Sequence, residues 1–358
     1  MRSFLHLRPA FALVTLVIAT AVVAACGADP TATPTAAPVA TPTPAPMQEG
    51  SGSLVIYSGR SESLVDPIIQ QFADVTGIDV EIKYGGTASL AATLLEEGTN
   101  SPADVFYAQD PGGLGAVESL LSPLPSGILE RAPDWAQSPQ GLWTGISGRA
   151  RVLVYSPDRV PESELPADIF DLTDPKWKGR VGWAPTNGSF LTMVTGMRKL
   201  WGEEKTAEWI EGMVANNAVI YPKNTPQVAA VAAGEIDIGL VNHYYLYRFV
   251  TEEGEDFPAR NYHPSGGGPG ALIMVSGAGI LSTTENRENA ERFIEFLLGT
   301  VAQQYFAGQT FEYPLVEGVN INRLLTPLDE IARPDIALAD LSDLEGTTAI
   351  LRDLHALP

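Results

Sequence analysis

The stretch Val241–Phe249, VNHYYLYRF, places adjacent phenols at Tyr244 and Tyr245, a third at Tyr247 and an imidazole in front of them at His243. An amphipathic helix uses one tyrosine as a wedge. Three so close together need more explanation, because each hydroxyl wants a partner once it leaves water. A free phenol titrates near 10. A strongly charged cation displaces that proton by the same electrostatics that acidify metal-bound water. The resulting phenolate is a hard oxygen donor and suits small, highly charged cations, Fe(III) best of all, whereas zinc and copper favour imidazole or thiolate. Two other readings stand beside this one: rings that stack on an apolar or cationic organic ligand, and plain core filling.

Few other residues compete for chemistry. The histidines are His6, His243, His263 and His355. The chain has no HExxH, no Gly-x-Ser-x-Gly elbow and no Walker motif, so no enzyme is expected. Gly266–Gly270, GGGPG, lacks a strand-turn-helix context and reads as a loop. The formal charge of −21 argues against nucleic acid, whose phosphates need clustered Lys and Arg.

The phenols need elements to position them, and hydrophobic periodicity supplies these from Ser53 onward. SLVIYS is a strand, SESLVDPIIQQFADVTG a helix stopped by Gly77, IDVEIKY a strand, Thr87–Glu97 a helix, ADVFYA a strand and Pro111–Leu121 a helix. The alternation repeats with strands RVGWAP, NAVIYP and EIDIGLVN and helices at Phe190–Leu200, Glu204–Ala215, Pro226–Ala233 and Tyr244–Glu252. Such β-α-β units predict an α/β fold with mostly parallel sheet. The long apolar strands Arg149–Ser156 and Ala271–Leu281 are expected to pass between two lobes as hinges, and the tail from Arg287 is expected to be mostly helical. The expected division is 53–150 with 275–358 as lobe one and 151–274 as lobe two, leaving an interlobe cleft suited to a small ligand.

Five expected strand ends carry small or polar turns: SGRSES, QDPGG, TNGSF, KNTPQ and HYYLY. Ligands of open α/β sheets bind beyond the carboxyl ends of strands. Thr186-Asn187-Gly188-Ser189, just before a helix, could seat an anion on free backbone N–H groups. Each turn alone reads equally well as an N-cap; five at one end of two lobes favour a site. Tyr244 and Tyr245 would open a helix just after Asn242, where both hydroxyls could reach one point in the cleft.

The N-terminus sets the expected compartment. Arg2 and Arg8 precede an apolar run to Ala25, which is short for a membrane span of roughly 20 residues. Residues 1–25 are expected to be a lipoprotein signal peptide, with Val23-Ala24-Ala25-Cys26-Gly27 as lipobox. Cys26, the one cysteine, would carry the lipid and anchor the chain to the outer face of the cell membrane. The Pro/Thr/Ala-rich residues 26–52 read as an extended tether.

From Ser53 to about Val319 the chain resembles the ferric-ion-binding proteins of bacterial iron ABC importers. The resemblance rests on SPADVFYAQD (Ser101–Asp110), SGRARVLVY (Ser147–Tyr155), DPKWKGRVGWAPTNGSF (Asp174–Phe190), GEIDIGLVNHYYLY (Gly234–Tyr247), PGAL (Pro269–Leu272) and EYPL (Glu312–Leu315), in that order. It implies a two-lobed, hinged type II periplasmic-binding-protein fold. It also implies a monomeric extracytoplasmic carrier that captures Fe(III) with a synergistic anion and delivers it to an ABC permease and its ATPase. The family's adjacent tyrosine ligands correspond to Tyr244 and Tyr245.

Other family ligands are missing. A histidine after the first strand and a glutamate after the third are replaced by Ser61 and Gln109, and the further tyrosine of another branch by Phe190. Fe(III) takes about six donors, so anion oxygens and water would supply most of the rest, with Gln109 or Asp110 as further candidates. Arg60 and Arg149 match the anion contacts of the carbonate-using branch. Asp110, Asn187, Gly188, Ser189, Asn224 and Asn242 match those of the phosphate-using branch, which leaves the anion open. The alternative for Arg60 and Arg149 is a salt bridge near the hinge. Competing functions are a same-fold binder of an oxyanion, polyamine or organic phosphate, and an exported sensor or adhesion subunit.

Overall fold

The computed structural model describes residues 52–357; the expected signal peptide, Cys26 and most of the tether lie outside them. The first half of the chain's sheet is built from β1 (Ser53–Ser58), α1 (Glu62–Thr76), β2 (Asp79–Tyr84), α2 (Thr87–Glu97), β3 (Val105–Ala108), α3 (Pro111–Ala116), β4 (Leu121–Ser122) and α4 (Ser126–Leu129). The long β5 (Trp143–Tyr155) leads into a second set: β6 (Val181–Trp183), α5 (Gly188–Trp201), α6 (Glu203–Ala215), β7 (Val219–Ile220), α7 (Asn224–Ala233), β8 (Ile238–Asn242), α8 (Tyr244–Glu253) and β9 (Arg260–Tyr262). β10 (Ile273–Leu281) returns to the first set, followed by α9 (Arg287–Leu297), α10 (Thr300–Gly308), β11 (Tyr313–Pro314) and α11 (Leu344–Asp353).

The main strand order is β2-β1-β3-β10-β5-β8-β6-β7. β1 pairs in parallel with β2 and β3, and β6 in parallel with β7 and β8. Every residue of β5 is buried. It runs antiparallel to β10 over its first part and to β8 over Arg151–Tyr155, so it belongs to both halves. Burial on both faces is what a central strand needs, and its apolar sequence provides it.

Local chemistry explains the ends. α1 buries Leu64, Val65, Ile68, Ile69 and Phe72, one face of a helix. It stops at Gly77, whose φ of 71° lets its N–H reach the Ala73 carbonyl at 2.8 Å; glycine adopts that left-handed conformation without a Cβ penalty. α3 ends at Ala116, short of the expected Leu121, because Gly112, Gly113 and Gly115 weaken its helical propensity. The three-residue 3₁₀ turn Glu118–Leu120 completes the segment. The tail is less helical than expected: residues 315–337 contain no helix, and Pro327 and Pro334 oppose one.

Phe72, Phe293 and Phe296 pack edge-on or tilted under the first half. Trp183, Phe190 and Trp209 form the corresponding aromatic centre of the second. Leu351 and Ala356, near the C-terminus, belong to that second core, while Leu338 and Leu341 belong with α3 and β3. α11 is held to α5 by Thr195–Thr347 at 2.8 Å and Arg198–Asp343 at 2.9 Å.

Candidate functional site

The parallel strands β1, β3, β6 and β8 bring their carboxyl ends together at the centre of the molecule. Arg60 follows β1, Gln109 and Asp110 follow β3, Asn187–Ser189 follow β6, and Asn242 ends β8. β5 contributes Arg149 and Arg151 two residues apart, hence on one face.

Tyr244 opens α8 and is fully buried; Tyr245 is 8% exposed. Their rings stack with centroids 4.4 Å apart and planes 30° apart. Adjacent helical residues diverge by about 100° in a continued helix, so this pairing belongs to the helix start. His243 sets the start. Its N–H donates to the Ala150 carbonyl at 3.0 Å, its Nδ1 accepts the Ala150 N–H at 3.1 Å, and its Nε2 donates to the Phe311 carbonyl at 2.7 Å. Both ring nitrogens are thus used by backbone, and burial holds the imidazole neutral, its pKa pushed down to about 3. His243 is a structural pin. Tyr247 donates to the Leu324 carbonyl at 2.8 Å and stacks on Phe311, away from the pair.

Three guanidinium groups surround the phenols, and all are buried. Arg60 is ion-paired with the buried Glu312, the salt-bridge alternative raised by the sequence; its Nε and Nη1 have no hydrogen-bond partner among the described residues. Burial would lower its pKa, but Glu312 holds it above the ordinary value. Burial likewise opposes ionisation of Glu312, and Arg60 followed by Arg149 outweighs it, keeping that carboxyl below its usual range. Arg149 donates to the Val275 carbonyl at 3.2 Å and has Nε and Nη1 without partners among the described residues. Arg151 donates to Asn242 Oδ1 at 3.0 Å and leaves Nε and Nη2 in the same condition. Burial pushes Arg151 down to about 9, against the opposing influence of Tyr244 and Tyr245. Buried cationic donors without a carboxylate are costly, and an oxyanion is their natural partner.

The remaining candidates divide cleanly. Asp110 caps α3, accepting the Gly113 N–H at 3.0 Å and the Thr192 hydroxyl at 3.4 Å. Burial raises its pKa, with Arg149 as the main opposing charge. A Cβ on Gly188 would lie 3.1 Å from Asp110 Oδ2, so the first turn of α5 approaches that carboxylate closely. Asn224 donates to Asn187 Oδ1 at 3.5 Å, and Asn242 donates to Ser189 Oγ at 3.2 Å. Gln109 turns its amide to Ser189 Oγ, 3.2 Å away. Ser61 is exposed at the start of α1. The Phe190 ring lies in the aromatic core against Trp183 and Trp209, and so offers nothing to a ligand.

Two contributors escaped the sequence reading. Arg151 lies within SGRARV, where a second arginine at i+2 on an apolar strand was the available signal. Glu312 lies within EYPL, and only folding brings it to Arg60. Burial, followed by the neighbouring Tyr244, raises Tyr245 above the ordinary phenol value; burial also pushes Tyr107 up to about 12. Among the described residues no three His, Cys, Asp or Glu side chains form a metal-holding group.

This arrangement is that of the two-lobed type II periplasmic-binding-protein fold. Iron-bound HitA from Pseudomonas aeruginosa superposes with a TM-score of 0.81 at 36% identity, over 85% of this chain and 99% of that one. Residues 100–330 match the bacterial extracellular solute-binding proteins, and the chain belongs to that family. It is 33% identical over 303 residues to the major ferric iron-binding protein of Neisseria meningitidis serogroup A, spanning 83% of this chain and 91% of the relative. It is 35% identical over 366 residues to iron uptake protein A1 of Synechocystis, spanning 98% and 97%. No helix among the described residues is long and apolar enough to cross a membrane.

Proposed function

We propose that the protein captures Fe(III) together with a synergistic oxyanion between its lobes and delivers it to an ABC permease and its ATPase. The observation that carries this reading is the stacked, buried pair Tyr244 and Tyr245 beside Arg60, Arg149 and Arg151, each of which keeps two buried guanidinium nitrogens without a hydrogen-bond partner among the described residues. The pair would ligate as phenolates. Arg60 and Arg149 would neutralise a bidentate carbonate; Asn187, Gly188, Ser189, Asn224 and Asn242, with Asp110, would serve a phosphate. Asp110 is the better placed of the two further metal candidates in charge, because Gln109 directs its amide nitrogen to Ser189. Ligand contacts from both sides favour the closed state.

The lobes in this reading are 53–150 with 275–358, and 151–274, with α11 reaching across to α5. Residues 1–25 act as signal peptide, Cys26 as lipid attachment site and 26–52 as tether of a monomeric carrier. Metal analysis and an optical spectrum of the protein loaded with ferric citrate, with and without bicarbonate, test the function. A visible phenolate-to-iron charge-transfer band is expected, lost in Tyr244→Phe/Tyr245→Phe. A band that persists in the double variant removes these residues as ligands.

A further inference from the structure

Two side-chain hydrogen bonds join the turn after β3 to α5 across the cleft: Thr192 donates to Asp110 Oδ1 at 3.4 Å, and the other comes from Gln109. Gln109 follows β3 of the first half, and its Nε2 donates to Ser189 Oγ at 3.2 Å, on the first turn of α5 in the second. The same Ser189 oxygen accepts from Asn242 Nδ2 at 3.2 Å. Asn242 in turn presents Oδ1 to Arg151 Nη1 at 3.0 Å. Ser189, Asn242 and Arg151 are fully or almost fully buried. A guanidinium only donates, so Arg151 dictates which end of the Asn242 amide faces it. The nitrogen is thereby turned to Ser189, whose oxygen becomes an acceptor on the side that Gln109 approaches.

We propose that Arg151, Asn242, Ser189 and Gln109 form an interlobe latch that holds the cleft shut without cargo, with Arg151 as its positioning residue. The latch goes beyond the iron-capture reading and does not depend on it. It gives Gln109 a role suited to a primary amide, whose nitrogen donates and is no metal ligand. It also engages Ser189 and Asn242, so an oxyanion that uses those groups must compete with Gln109 for them. Opening breaks the Gln109–Ser189 hydrogen bond along with that from Thr192 to Asp110, and water replaces each on both sides. The net contribution of such a bond corresponds to about a five- to tenfold change in an equilibrium constant.

The test uses iron-free full-length protein carrying Cys26→Ser, which removes the one native thiol, with donor and acceptor dyes on Glu96→Cys and Glu208→Cys, both exposed positions on α2 and α6. Single-molecule energy transfer then reads the closed-to-open ratio. Gln109→Ala and Ser189→Ala should each lower that ratio about five- to tenfold. Arg151→Met should lower it similarly and Arg151→Lys should restore it in part, since a lysine retains a donor for Asn242 Oδ1. Gln109→Ala combined with Arg151→Met should cost no more than Arg151→Met alone, because both act on one bond although the residues do not touch; independent effects would multiply. Ser189→Ala keeps the test decisive if Arg151→Met folds poorly. An unchanged ratio in Gln109→Ala and Ser189→Ala, or multiplying effects in the double variant, would overturn the latch. Failure of iron capture would show in the charge-transfer band and leave this ratio unaffected.

Discussion

The phenol of Tyr245 is held above its ordinary value by burial and by its neighbour. Ligation as phenolate must expel its proton, so ferric affinity should rise with pH, by about tenfold per unit for one displaced proton. Competition against a chelator of known protonation, between about pH 6 and pH 8, well below the free phenol value, should show that slope. Tyr245→Phe should reduce it by one proton. The Arg60–Glu312 pair gives a second residue-scale prediction. Both side chains are fully buried, so Glu312→Gln strands a cation and should destabilise the fold by about 3–5 kcal/mol in urea titration. The folded pKa of Glu312 is depressed. Its contribution is therefore present above the unfolded carboxylate range and is lost as pH falls through the depressed value. The variant should show a flatter acid limb.

At the scale of elements, α2 and α3 meet through Thr87, and glycine permits the approach. A Cβ on Gly113 would come within 2.1 Å of Thr87 Cγ2. Thr87 Oγ1 accepts the Gln109 N–H at 3.1 Å, so this contact also positions the loop after β3. Gly113→Ala should cost about 1–3 kcal/mol by overpacking, measured by thermal unfolding, and should loosen Gln109. His243 plays the matching part in the second lobe: by tying the start of α8 to Ala150 of β5 it fixes the direction in which the tyrosines leave the backbone.

For the whole molecule, a ligand that binds only the folded state adds to its stability by mass action. With ferric iron and bicarbonate at about a hundredfold excess over Kd, the unfolding free energy should rise by about 2.7 kcal/mol. Scanning calorimetry of wild type and of Tyr244→Phe/Tyr245→Phe should show the increase in the first and none in the second. An equal increase in both would place the metal elsewhere.

The order of strands and helices was legible in the sequence because period 2 and period 3.6 are local properties, and Gly77 marked its helix end by local conformational preference. The phenol pair and the strand-end turns were legible for the same reason: their residue types and spacing lie within a few positions of one another. The short α3 and the extended segment after β11 were less legible, since propensity and packing compete there. Tertiary structure alone decided that Glu312 pairs with Arg60 across 252 positions, that Arg151 meets Asn242, and that Gln109 faces Ser189 from the other lobe. Such pairings bring together groups whose separation along the chain carries no periodic signal, and burial then fixes their charge and donor direction. The sequence thus determined the kinds of chemistry on offer, whereas the fold determined which groups meet in a site shielded from water.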